Sequence, residues 1–296
     1  MGLSTNLTIT GDSDNQDIVE ITGANVETGQ FINFVNWDDQ DVIIWQGTAL
    51  FDNITGSSRN DIFIGGASGD NLLGLDGNDI FRISGTNAQF DFMGGGTGTD
   101  TIEATGLVTL GFFNATNSSI ERWVGNNGVR GTTGANDLNF LGLQQKTGLK
   151  FIDGLSGNDN IIGSIFADDL RGGNGNDTLN GGAGKDKLTG GRDRDTMTGG
   201  ADKDIFDFNS LKDSGKGGKA DRITDLKKGD KIDLRDIFGG KLDWLGKKDF
   251  TGEKGEARYE DKGSKVVVQV DKNGDGKSDF DIKVDIGSLN VAHFYF

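Results

Sequence analysis

The sequence predicts an all-β fold, a parallel β-solenoid of short stacked coils closed by a C-terminal β cap. Three observations predict it. A nine-residue unit repeats six times without a gap between Gly154 and Asp207. The 296 residues include 50 Gly, no Pro and no Cys. Only 33% of them are hydrophobic, too few for a core of ordinary thickness over the whole length but enough for one inward side chain per turn.

The six units begin at Gly154, Gly163, Gly172, Gly181, Gly190 and Gly199. Their sixth residues are Asp159, Asp168, Asp177, Asp186, Asp195 and Asp204, and their eighth are Ile161, Leu170, Leu179, Leu188, Met197 and Phe206. Six residues rich in Gly, Asn and Asp make a turn, because Gly tolerates positive φ and close backbone approach. Three residues with an apolar centre make a short strand, and alternation sends only that centre inward. Two units complete one coil of turn, strand, turn, strand. Stacked coils then place the aspartates in two columns, one along each edge.

A second array, at Gly47, Gly56, Gly65 and Gly74, carries Asp52, Asp61, Asp70 and Asp79 at the sixth position. Its apolar positions are Ile54, Phe63, Leu72 and Phe81, and its glycines are eroded at Leu50, Arg59 and Ser68. Isolated units at Gly95 (Asp100, Ile102) and Gly131 (Asn136, Leu138) lie between the arrays. The chain is read as an N-terminal β cap over 1–46, a degenerate solenoid over 47–153, the regular repeats over 154–207 and a C-terminal region over 208–296.

Columns of carboxylates repel one another unless a cation lies between successive turns. The donors are all oxygen and include turn carbonyls, which favours Ca²⁺ over Mg²⁺ or zinc. The expected ligands are the sixth-position aspartates of both arrays, with Gly172, Asn174, Gly181, Gly182, Gly184, Gly190 and Gly191 in the turns. Asp213 and Asp221, outside the period, are expected to matter less.

The unit G-G-x-G-x-D-x-U-x resembles the RTX (repeats-in-toxin, hemolysin-type) nonapeptide. The resemblance implies a right-handed parallel β-roll that folds on binding Ca²⁺ outside the cell. Leu155 and Ser164 depart from it at the second position, and Phe166, Asp193 and Asp202 at the fourth. Ile205–Phe208, Asp221–Leu226, Asp230–Leu234 and a hairpin of Val266–Val270 with Phe280–Val284 are similar to the region that follows the β-roll in serralysin-type proteases. That similarity implies a C-terminal cap carrying a type I secretion signal, with the secretion apparatus as a partner. The N-terminus shows no basic-then-apolar signal pattern.

The formal net charge is -16. Of the 30 Lys and Arg and the 46 Asp and Glu, 19 and 20 fall in 201–296, so the first 200 residues hold 11 against 26. An acidic surface of that kind disfavours nucleic acid, and no apolar run is long enough to span a bilayer. The single His293 excludes a two-histidine zinc helix, and there is no Cys nucleophile, P-loop or G-x-S-x-G elbow. The favoured function is a secreted, extracellular, non-catalytic calcium-binding protein acting at a matrix or cell surface, with extracellular polysaccharide or surface components as partners. The alternatives are a polysaccharide-active β-helix enzyme of lyase or epimerase type using surface carboxylates, and a small RTX pore former. Trp37, Trp45 and Trp123 read either as a carbohydrate platform or as cap core. Asp271–Asp279 reads either as a weak calcium loop or as a solvated turn.

Overall fold

The computed structural model describes residues 43–47 and 49–296 in full. It describes the strands Leu7–Thr10, Ile18–Thr22 and Ile32–Val35, and Val42 of the strand Val42–Gln46, by their backbone alone. Trp37 and the rest of the expected 1–46 cap lie outside the described residues. The fold is all-β, a parallel β-roll as the sequence predicts. It divides into two compact units: Met1–Arg130 with Gly142–Leu149, and Gly131–Leu141 with Lys150–Phe296.

In the first unit one parallel sheet runs through Ile18–Thr22, Val42–Gln46, Asp61–Ile64, Ile80–Gly85 and Thr101–Thr109. A second takes Asn53–Thr55, Asn71–Asp76 and Phe92–Thr97. Thr101–Thr109 is long enough to pair with both Arg122–Gly125 and Val129–Arg130, and Gln145–Thr147 lies beside Arg122–Gly125. The region that sequence alone leaves between solenoid and insert thus carries on the parallel coils. Its period lengthens because chain is added in the turns, as at residues 86–90.

In the second unit one face stacks Ile152–Asp153, Asp169–Asn174, Lys187–Arg192, Ile205–Asp207, Lys231–Asp233 and Phe294–Tyr295. The other stacks Asp137–Asn139, Asn160–Ile162, Thr178–Asn180, Thr196–Thr198, Asp221–Ile223 and Phe280–Val284. From Phe280–Val284 the sheet turns antiparallel through Val266–Asp271 and Glu256–Asp261, which contains the expected hairpin. The core is the inward column of each face. Leu138, Ile161, Leu179, Met197, Ile223 and Ile282 fill one; Ile152, Leu170, Leu188, Phe206, Ile232 and Phe294 fill the other, and all are buried. Each such burial contributes about 1.5–3 kcal/mol. Trp244 closes the end against Phe294 and Phe296, with ring centroids 4.6 and 5.6 Å away.

The turns stack as closely as the strands. Gly175 sits at φ +126°, and a Cβ there would lie 1.7 Å from the Gly157 carbonyl oxygen of the preceding coil. Gly175→Ala should therefore lower stability by at least the 1–3 kcal/mol or so of a strained backbone, read as a fall in Tm at saturating calcium. Gly218, with nothing within 4 Å of its Cβ position, is the control, and its Ala variant should stay within about 0.5 kcal/mol.

Candidate metal centre: the aspartate ladders

Aspartates repeating every nine residues along two-unit coils must stack at an interval of 18, and they do. In the second unit the backbone N–H of Asp159 donates to Asp177 Oδ1 at 2.8 Å, and that of Asp177 to Asp195 Oδ1 at 2.8 Å. Asn136 enters this ladder from above through Asp159 (2.7 Å), and Asp221 ends it below Asp195 (2.9 Å). The other edge runs Asp168 to Asp186 (2.8 Å), Asp186 to Asp204 (3.1 Å) and Asp204 to Asp230 (3.2 Å). The six aspartates of the regular array thus line up in two files.

The first unit repeats the arrangement. Asp52, Asp70 and Asp91 form one file, at 2.9 Å per step. Asp61, Asp79, Asp100 and Glu121 form the other, at 2.7, 2.8 and 2.8 Å.

One carboxylate oxygen per rung is thus satisfied by the backbone of the coil above. The other is not. Oδ2 of Asp70, Asp79, Asp100, Asp159, Asp177, Asp195, Asp204 and Asp221 is buried and accepts no hydrogen bond. Lys227 Nζ lies 3.8 Å from Asp204 Oδ2. Four of them, those of Asp79, Asp100, Asp159 and Asp177, share the space beside a first-position glycine with a backbone carbonyl. A Cβ built on Gly154 would lie 2.3 Å from Asp159 Oδ2 and 2.6 Å from the Gly172 oxygen of the next coil. At Gly172 the corresponding distances are 2.3 Å to Asp177 Oδ2 and 2.5 Å to the Gly190 oxygen. Acceptor faces acceptor with no donor between them, which costs free energy unless a proton or cation intervenes. The first-position glycines are required because this oxygen pair occupies the space of a side chain.

Burial accordingly pushes these carboxyls up from 3.8. Desolvation leads, and neighbouring aspartates add to it: Asp177 rises to about 6, Asp79 and Asp195 to about 8 and Asp221 to about 9. Asp61 and Asp100 rise to about 6 and Asp91 to about 7, led in each case by desolvation. Among the described residues no three His, Cys, Asp or Glu gather into one cluster. A cation held here would take one or two carboxylates and complete its shell from turn carbonyls, as a hard oxygen-seeking ion does.

The second and fourth residues of most turns are left-handed, and three departures from the repeat adapt to this. Leu155 takes φ 71° in place of Gly at the second position, and Asp193 and Asp202 take φ 83° and 68° at the fourth. Asp225 caps the last regular turn by accepting the N–H groups of Gly199 and Gly200, both at 2.8 Å.

Sequence reasoning misses Asp91, Glu121, Asp221 and Asp230, because no glycine unit precedes them at the period. The signal was present in the short form Asp-x-apolar: Asp91-Phe92-Met93, Asp221-Arg222-Ile223 and Asp230-Lys231-Ile232. Asp221, expected to matter less, stands in the file as a fully buried rung. Asp213 does stand outside, accepting the N–H groups of Asn209 and Ser210 in its own turn. Trp45 and Trp123 are buried, with Trp45 Nε1 donating to Asp61 Oδ1 at 3.3 Å, which makes them core. In the 271–279 loop Asp271 accepts the N–H groups of Gly274 and Gly276, and Asp279 those of Lys272 and Asn273.

Residues 129–294 match the family described as "Peptidase M10 serralysin C terminal". Residues 46–81 match "RTX calcium-binding nonapeptide repeat (4 copies)", which is the array whose glycines are more eroded. Among solved structures, the solution structure of the AlgE6R3 subunit from the Azotobacter vinelandii mannuronan C5-epimerase is 26% identical, with a TM-score of 0.38. The match covers 47% of this chain and 78% of that one. No curated protein matches the chain.

Proposed function

The chain belongs to the serralysin C-terminal family and is a calcium-binding RTX protein, and from this premise we propose that the stacked aspartates are its calcium sites. The observation that carries the assignment is the row of buried, unbonded Oδ2 atoms, with those of Asp79, Asp100, Asp159 and Asp177 crowded against a turn carbonyl. Bound Ca²⁺ would supply positive charge between groups that otherwise repel. Asp159, Asp177 and Asp195 on one edge, with Asp186 and Asp204 on the other, would hold it together with the turn carbonyls of their coils. Asp70, Asp79 and Asp100 would do the same in the first unit.

Folding and binding are then one event. Glycine entropy and carboxylate repulsion keep the ion-free repeats open. Calcium at extracellular levels, against affinities on the order of 10⁻⁴ to 10⁻³ M for such modules, closes them. The protein is secreted by a type I route and folds outside the cell, where it acts as a non-catalytic matrix or surface protein. Support for the non-catalytic reading comes from burial: the ladder carboxylates, its strongest cluster of shifted acids, are turned away from solvent and tied to backbone. Glycan cleavage and epimerisation assays on the calcium-loaded protein test this part, and turnover of any polysaccharide would overturn it.

The ligand assignment is tested by substitution. Asp177→Ala and Asp195→Ala should each raise the calcium midpoint of folding several-fold, followed by circular dichroism. Asp213→Ala, outside both files, should leave it within a factor of two or so, the effect of an ordinary surface change. Equal shifts in all three would remove the ladder from the argument.

A further inference from the structure

The turns fall into two conformational classes. In the turns starting at Gly65, Gly74, Gly95, Gly154, Gly172, Gly181, Gly190 and Gly199, the second and fourth residues both have positive φ. This holds even where those residues are Ser68, Leu75, Leu155, Asp193 and Asp202. In the turns starting at Gly56, Gly131 and Gly163 neither residue does. The second residue there is Ser57, Thr132 or Ser164.

The same hydrogen-bond pattern recurs in all three. The backbone N–H and the hydroxyl of the second residue both donate to one side-chain oxygen of the sixth. Ser57 reaches Asp61 Oδ2 at 2.7 and 3.0 Å, Ser164 reaches Asp168 Oδ2 at 2.7 and 2.8 Å, and Thr132 reaches Asn136 Oδ1 at 2.8 and 2.9 Å. Each hydroxyl also accepts the N–H of the fourth residue, at 3.1 to 3.2 Å. The oxygen that stands bare in Asp70, Asp79, Asp100, Asp159, Asp177, Asp195 and Asp204 here has two donors.

Asn136 goes further. Its Nδ2 donates to the Gly134 oxygen at 2.8 Å and to the Gly154 oxygen of the next coil at 3.2 Å. It thereby meets with N–H groups the kind of carbonyl that faces a bare carboxylate oxygen in the neighbouring turns. All three turns are also the first rungs of their files: Asp61 precedes Asp79, Asp168 precedes Asp186, and Asn136 precedes Asp159.

We infer that these three turns are closed by the chain itself and take no cation, and that Ser57, Thr132 and Ser164 are the residues that decide it. Asp61 and Asp168, which the sequence pattern places among the ligands, then act as hydrogen-bonded starter rungs. They form without metal and give the first cation-binding turn of each file a built edge to stack on. The inference rests on the ladder reading above and sharpens it: calcium enters only the turns whose second residue is left-handed.

The test is calcium stoichiometry, measured with Ca²⁺ alone on the full chain by isothermal titration and native mass spectrometry. The double variant Ser164→Gly with Phe166→Gly restores the full repeat at 163–168 and should bind one ion more than the wild type. Gly173→Ser installs the closing hydroxyl in an open turn, beside the unbonded Asp177 Oδ2, and should bind one ion fewer. Ser164→Thr keeps the hydroxyl and should match the wild type. An unchanged ion count in Gly173→Ser, folded by circular dichroism, overturns the inference, as does an unchanged count in the opened double variant. A wild type that binds no calcium overturns the ladder reading and this inference with it, so the wild-type titration tells the two failures apart.

Discussion

Removing calcium from the full chain with EGTA at pH 7.4 should abolish most of its β-sheet circular dichroism, and acidifying the chelated protein to about pH 5 should restore part of it. The sign follows from the carboxyls. Folded and ion-free, Asp177 sits at about 6, Asp195 at about 8 and Asp221 at about 9, against roughly 3.9 for an unfolded Asp. A group whose folded value is raised contributes stability that is fully present below the unfolded value. That stability is lost as pH climbs through the folded one. Between about pH 4 and 9 the ion-free fold therefore weakens with rising pH, by about 1.4 kcal/mol per pH unit for each proton the folded state retains and the unfolded state does not. A proton on Oδ2 and a calcium ion answer the same need, a positive partner between two acceptors. The corollary is competition: the calcium midpoint should rise as pH falls from 8 to 6, and binding should release protons. Chelated protein that is equally unfolded at pH 5 and 7.4, with a calcium midpoint independent of pH, would contradict the account.

The second large effect concerns the thin core. Leu179→Asp should prevent folding even at saturating calcium. Leu179 is fully buried, in register with Ile161 above and Met197 below. Truncating a buried Leu costs about 2–5 kcal/mol; a carboxylate in its place also loses its hydration with no donor in the apolar column to replace it. Calcium binds along the edges of the coil and cannot reach this position. Thr178, the exposed neighbour on the same strand, serves as the control, since Thr178→Asp places its charge in solvent. If Leu179→Asp folds with the wild-type calcium midpoint, the inward column is not what holds the coils together.

The second-unit roll was legible because its information is local and periodic. A Gly at one position, an Asp five residues on and an apolar residue two further already specify turn, rung and core. The hairpin of Val266–Asp271 with Phe280–Val284 was legible for the same reason, as alternation around a polar turn. Asp91, Asp221 and Asp230 escaped, although they complete the same files. They lie 21 or 26 residues below the rung above instead of 18, and a search at constant period cannot see a rung that arrives after a longer turn. The Trp residues show the reverse limit. Trp45 and Trp123 have the composition of a sugar platform, and only packing shows that they are buried.

By itself the sequence determined the coil, because nine-residue periodicity in side-chain size and backbone freedom leaves a chain few other ways to bury one apolar residue per unit. It determined the oxygen-only chemistry of the edges as well, through aspartates without histidine or cysteine partners. Tertiary structure alone decided which carboxylate oxygens remain without a donor, and so which turns call for a cation. That depends on whether a second-position residue turns left-handed or folds its hydroxyl back onto the sixth. The choice is made only once the next coil has stacked its carbonyls against the turn.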